Sequence, residues 1–79
     1  MTKARIIESN HTRALYTFEL CEGEIGYLEV LDNNELEVDD VLTGDFSETG
    51  NTVAKRGTTK ILISIEDFCD IELAKDMID

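Results

Sequence analysis

Residues 32–46 read DNNELEVDDVLTGDF, with six carboxylates and two asparagines in one short run. The run is either a calcium loop or a strand broken at an acidic corner, and the choice decides the fold. A helix–loop–helix calcium site begun at Asp32 needs an oxygen ligand at its fifth position, glycine at its sixth and glutamate at its twelfth. The chain places Leu36, Glu37 and Thr43 there, so the calcium reading fails on spacing. A period of two fits better: Leu36 and Val38 fall on one face, and Glu35, Glu37 and Asp39 on the other, as in a half-solvated strand edge. The same count would turn Asp40 inward beside Leu42, Gly44 and Phe46, where a small core has no partner for a carboxylate. The expectation is therefore a corner or bulge at Asp39 and Asp40, since aspartate tolerates left-handed backbone and bonds to nearby N–H groups.

Working outward, the rest of the chain reads as short strands. KARIIE (3–8) is a first strand, SNHT (9–12) a polar turn, and RALYTFELC (13–21) a second strand whose Ala14, Tyr16, Phe18 and Leu20 share a face. IGYLEVL (25–31) follows, with Gly26, Leu28 and Val30 on one side, so the first three strands form a meander. TVAK (52–55), the turn RGTT (56–59) and KILISIE (60–66) supply a last hairpin, in which Ile61, Ile63 and Ile65 alternate with Leu62 and Ser64. EDFCDIELAKDMI (66–78) sets Phe68, Ile71, Ala74 and Ile78 at helical spacing, with Asp67 as N-cap, which predicts a short helix on the barrel end. The chain has no proline, repeat or linker. Five or six short strands with turns every eight to twelve residues predict an all-β fold: a small closed antiparallel barrel with a short C-terminal helix, one domain over 1–79.

The meander followed by LEVDDVLTG (36–44) resembles small bacterial oligonucleotide/oligosaccharide-binding (OB) barrels, with Asp39-Asp40 standing where those barrels often read Gly-Asp. The likeness spans about residues 3–66. It implies an OB-like pairing of strands and a surface that takes single-stranded nucleic acid on strands two and three. An SH3-like barrel fits the same pattern.

Charge bears on that implication. Eighteen acidic and seven basic residues give a formal charge of −11, and a polyanion of this size repels nucleic acid and anionic lipid at long range. The distribution is dipolar: residues 1–13 hold three bases against one acid, residues 14–54 hold eleven acids and no base, and residues 55–79 hold four bases against six acids. Cys21 and Cys69 stand far apart in no metal or redox spacing, and no apolar N-terminal segment resembles a signal peptide or membrane span, which predicts a reduced, cytoplasmic protein. Zinc needs about four clustered Cys or His ligands, and two distant cysteines with His11 do not supply them. His11 lies in a polar turn without a paired nucleophile, and TGDFSETG lacks the lysine and spacing of a phosphate loop. No catalytic residue and no cofactor is expected.

Two kinds of binding remain. The leading expectation is a small acidic module that engages a protein partner through Glu35, Glu37 and Asp39, by steered encounter with a basic patch. A weak divalent cation site on that face is an alternative, although same-face strand residues lie about 7 Å apart and calcium wants six to eight oxygens at about 2.4 Å. The other alternative is single-stranded nucleic acid, held by Lys3, Arg5, Arg13, Lys55, Arg56 and Lys60 if these gather beside Tyr27 as a stacking platform. Tyr16 and Phe18 share the core face of their strand and are expected inside.

Overall fold

Alternation of period two builds the barrel. In a computed structural model, which describes residues 2–79, six strands follow in order: β1 (Thr2–Asn10), β2 (Leu15–Leu20), β3 (Ile25–Val30), β4 (Val41–Gly44), β5 (Gly50–Arg56) and β6 (Thr59–Phe68), then one helix, α1 (Ile71–Ile78). Every neighbouring pair is antiparallel, and the order β1-β2-β3-β6-β5-β4 closes because β4 returns to β1. Closure gives each described strand a neighbour on both sides. The inward residues are those that the alternation marks: Ala4 and Ile6; Tyr16, Phe18 and Leu20; Leu28 and Val30; Leu42 and, just past β4, Phe46; Ala54; Ile61, Ile63 and Ile65, all buried in one cluster. Phe18 packs against Phe46 and Phe68 with ring centroids 5.4 and 5.9 Å apart.

Two irregularities bend the strands enough to close so small a cylinder. One falls in β1 between Ile6 and Glu8, the other in β6 opposite the step from Tyr27 to Leu28. Gly26 lies beside the second. A Cβ there would collide with the Asp67 carbonyl and stand 2.9 Å from Cζ of Phe18, so only glycine admits this approach. At the β5–β6 turn Gly57 takes φ +64°, which a two-residue hairpin turn demands.

Four expectations are corrected. Ser9 and Asn10 belong to β1 and pair with Tyr16 and Leu15, because the bulge carries the strand on beyond Glu8. Residues 35–39 are not a strand: Leu36 is fully buried while Val38 is 50% exposed, so the two do not share a face. The corner itself falls at the expected place to within one residue, with a turn at Val38 and Asp39 and Asp39 at φ 78°. The helix N-cap is Asp70, whose carboxylate accepts the Leu73 N–H at 2.9 Å, rather than Asp67; the β6 bulge keeps Asp67 and Phe68 in the ladder opposite Tyr27 and Gly26. Finally, α1 lies on the barrel's flank, against β1, β2 and β3. Its Ala74 and Ile78 are buried there, and so are the outward-pointing Leu15 and Thr17 of β2, which makes a second small apolar layer outside the barrel.

Candidate functional site

The connection from β3 to β4, residues 31–40, is the longest irregular stretch among the described residues and carries the positions singled out by the sequence. A loop of this length needs partners for its backbone, and short-range chemistry provides them. Leu31 extends β3 by one bond to the Leu62 carbonyl, at 2.8 Å. Asp32 then takes over from the ladder: one carboxylate oxygen accepts the Leu62 N–H at 2.9 Å, the other the backbone and side-chain N–H groups of Asn34 at 2.9 and 3.0 Å. The Leu62 bond, then those from Asn34, hold its carboxyl below the usual range. Asp32 is thus a structural clip.

Leu36 plugs the barrel from this loop. Its N–H donates to the Tyr16 hydroxyl at 3.2 Å and its carbonyl accepts His11 Nε2 at 2.7 Å, so side chains replace both ladder bonds. The same Nε2 lies 3.2 Å from Glu37 Oε2, which places the proton on that nitrogen. The bond to the Leu36 carbonyl, and after it the charges of Glu37 and Glu35, raise the His11 pKa above its ordinary value against a smaller opposing effect of burial. At the far end Asp40 Oδ2 accepts the Glu37 N–H at 2.9 Å and Arg56 Nη1 at 3.0 Å, and that guanidinium also donates to the Glu35 carbonyl at 2.8 Å. Asp39 N–H and the Asp40 carbonyl complete the seam with Ile6, at 2.7 and 2.8 Å.

The loop leaves Glu35, Glu37 and Asp39 at the solvent-facing side. Glu37 and Asp39 keep side-chain exposures of 70% and 75% although each meets a base, His11 and Arg5 respectively. Among the described residues no group of three His, Cys, Asp or Glu side chains converges closely enough to hold a metal ion.

The basic residues do not form one patch. Arg5 is held between Asp39 at 2.9 Å and Glu19 at 3.2 Å, and Arg56 is committed to Asp40. Arg13 reaches the Asp79 carbonyl at the end of α1. Tyr27 sits opposite Asp67 on the helix side, in a shallow cleft of about 340 Å³ with Arg13, Leu15, Glu29, Glu66 and Met77, so Arg13 is brought beside this ring as expected. Partial burial, then the charges of Asp67 and Glu66, raise its pKa, so carboxylates surround this ring and Arg13, with no lysine lining the cleft. Lys3, Lys55 and Lys60 are instead aligned by strand register. Lys3 pairs with Thr43, Thr43 with Lys55, and Lys55 with Lys60, so the three lie in one row across β1, β4, β5 and β6.

Beside that row runs another that the sequence reading did not single out. Val53 is directly opposite Leu62, and Leu31 bonds to Leu62 from the end of β3; they are 51%, 42% and 40% exposed. The signal was present in KILISIE, since Leu62, on the face opposite three buried isoleucines, is an apolar residue in water. Cys21 is exposed and Cys69 half-buried, both as free thiols; burial, then Asp67, pushes the Cys69 thiol up. No described helix is long and apolar enough to cross a membrane. Comparison with protein-family models, with curated proteins and with solved structures finds no significant match to this chain.

Proposed function

We infer that the chain is a non-enzymatic binding module that engages a basic surface of a protein partner through Glu35, Glu37 and Asp39. The observation that carries this reading is the anchoring of the 31–40 loop. Asp32, Leu36 and Asp40 tie its backbone to the barrel while the three carboxylates between them stay at the solvent-facing side. A charged display already held in one shape loses little conformational entropy when it docks, and this favours affinity and register. Arg5 and His11 orient Asp39 and Glu37 without covering them. Exposed pairs of this kind are worth only about 0–1 kcal/mol, so a guanidinium or ammonium of a partner displaces them readily.

The test is capture by the immobilised protein from a lysate of its source cells, in parallel with the Glu35→Lys/Glu37→Lys/Asp39→Lys variant. A discrete partner that binds the native chain, weakens with salt and is lost from a variant with an unchanged melting curve supports the reading. A partner indifferent to the three substitutions refutes it. Fluorescence anisotropy with labelled single-stranded DNA and RNA at low salt separates the nucleic-acid alternative, which requires saturable, salt-sensitive binding.

A further inference from the structure

The lysine row has a feature that strand pairing alone disfavours. Lys55 stands directly opposite Lys60, two residues from the hairpin turn, and like charges in that relation destabilise a sheet. Lys3 lies in the same row two strands away, about 10 Å at the usual strand spacing. In a chain with eighteen acids, Arg5, Arg56 and Lys75 all find carboxylates, whereas among the described residues Lys3, Lys55 and Lys60 meet none within ion-pair distance. The adjoining row of Val53, Leu62 and Leu31 puts apolar side chains in water next to those unneutralised ammonium groups, and it ends at Asp45 beside Val53 and at Asp32 on the Leu62 N–H, carboxylates already bonded to Ser47 and to Leu62 and Asn34. The two rows give one face a positive stripe and an apolar stripe side by side.

We propose that this face is a second docking surface, for an acidic and apolar polypeptide segment of a partner protein, with carboxylates meeting Lys3, Lys55 and Lys60 and aliphatic side chains covering Val53, Leu62 and Leu31. Charge complementarity selects the sign of the occupant, and the apolar row selects a polypeptide over a bare polyanion. Single-stranded nucleic acid binds through stacking on aromatic rings, and the aromatic side chains lie elsewhere: Tyr16, Phe18 and Phe46 in the core, Phe68 against it, and Tyr27 at the far end of the β3–β6 pair beside Asp67. A second copy of this chain is a poor occupant, because each copy carries −11 and two such chains repel at long range. The surface is independent of the acidic loop, since it selects the opposite charge.

The test is fluorescence anisotropy at low salt with a fluorescein-labelled peptide of alternating glutamate and leucine, alongside labelled oligothymidylate and sedimentation of the protein alone. Saturable peptide binding is expected. Lys55→Glu should weaken it about tenfold or more, a difference of about 1.4 kcal/mol, while raising the melting temperature, because the introduced carboxylate would face Lys60. Loss of affinity in a better-folded variant separates recognition from folding. Val53→Ser should also weaken binding, and Glu35→Lys/Glu37→Lys should leave it intact, which keeps this outcome distinct from failure of the acidic-loop reading. The proposal is overturned if the peptide does not saturate, if Lys55→Glu binds as tightly as the native chain, if oligothymidylate binds more tightly than the peptide, or if the protein self-associates in a manner that Lys55→Glu abolishes.

Discussion

Leu36→Ala separates the plug in the 31–40 loop from the strand edge that simple alternation predicts. Leu36 is fully buried against the barrel core, and replacing a buried leucine by alanine costs about 2–5 kcal/mol, more where the site cannot collapse. Collapse is restricted here. The loop is pinned on one side by Asp32 bonded to Leu62 and on the other by Asp40 bonded to Arg56, so its backbone cannot follow the shortened side chain inward. A loss of about 3 kcal/mol is expected, taken from a total that for a chain of 79 residues is about 4–12 kcal/mol. With an unfolding entropy of about 2.1 cal/mol/K per residue, this lowers the melting temperature by about 18 °C. The control is Val38→Ala, two positions along and 50% exposed, for which a change within about 0.5 kcal/mol is expected. Urea denaturation followed by circular dichroism measures both. An edge strand would place Leu36 and Val38 on one face with equal claims on the core, so similar losses from the two substitutions would refute the plug.

Thr17 lies under α1 with its hydroxyl fully buried and without a hydrogen-bond partner among the described residues; Thr17→Val should therefore stabilise by about 1 kcal/mol, seen as a melting temperature higher by about 6 °C. Gly26→Ala should destabilise by about 2–3 kcal/mol, because the added methyl meets the Asp67 carbonyl and the Phe18 ring, and a chemical-denaturation midpoint that does not fall would contradict the close approach. His11 titrates above 6.5 in the folded state, so its contribution is fully present below pH 6.5 and is lost as pH rises through the higher folded value. The melting temperature should accordingly slope downward just above that pH in the native chain and lose this component in His11→Gln, while NMR titration of the imidazole reads the raised value directly.

The barrel was legible because its signal is local. Ile61, Ile63 and Ile65, or Tyr16, Phe18 and Leu20, announce an inward face with no knowledge of which strand lies beside them. The corner at Asp39 was legible for the same reason, since a carboxylate about to enter a small core must turn away. The run at 35–39 misled because two leucine or valine positions two apart look alike whether or not a ladder exists. What separates Leu36 from Val38 is that Tyr16 and His11, some twenty and twenty-five residues earlier, satisfy the Leu36 backbone in place of a strand. The helix cap was displaced by a bulge that keeps Phe68 paired with Gly26, an event decided by β3 and invisible within 66–78. The site divides likewise: Glu35, Glu37 and Asp39 face water as expected, although in a loop and without the alternation that suggested it, while the placement of the bases depended on register.

Register also explains how an excess of acid leaves three cations unneutralised. Composition alone would pair every base, given eighteen carboxylates for seven. The outward neighbour of Arg5 across β1 and β2 is Glu19, and the corner brings Asp39 to its other side, so this base is neutralised by topology. For Lys3 the neighbour across β1 and β4 is Thr43, and beyond it the row continues with Lys55 and Lys60. Shifting any of these pairings by one residue would send core residues to water, so the packing that buries Ala4, Leu42, Ala54 and Ile61 also fixes the lysines in their row. The repulsion between Lys55 and Lys60 is therefore a consequence that the core enforces and that surface substitution can remove without disturbing the packing. Added salt should act oppositely on the two regions: it screens the lysine pair and stabilises that hairpin, and it weakens the exposed bridges of Arg5 to Glu19 and Asp39 that steady the corner. The contrast is read locally: amide hydrogen exchange of the β5–β6 hairpin should slow with added salt more in the native chain than in Lys55→Glu, and an equal response in the two would refute the repulsion.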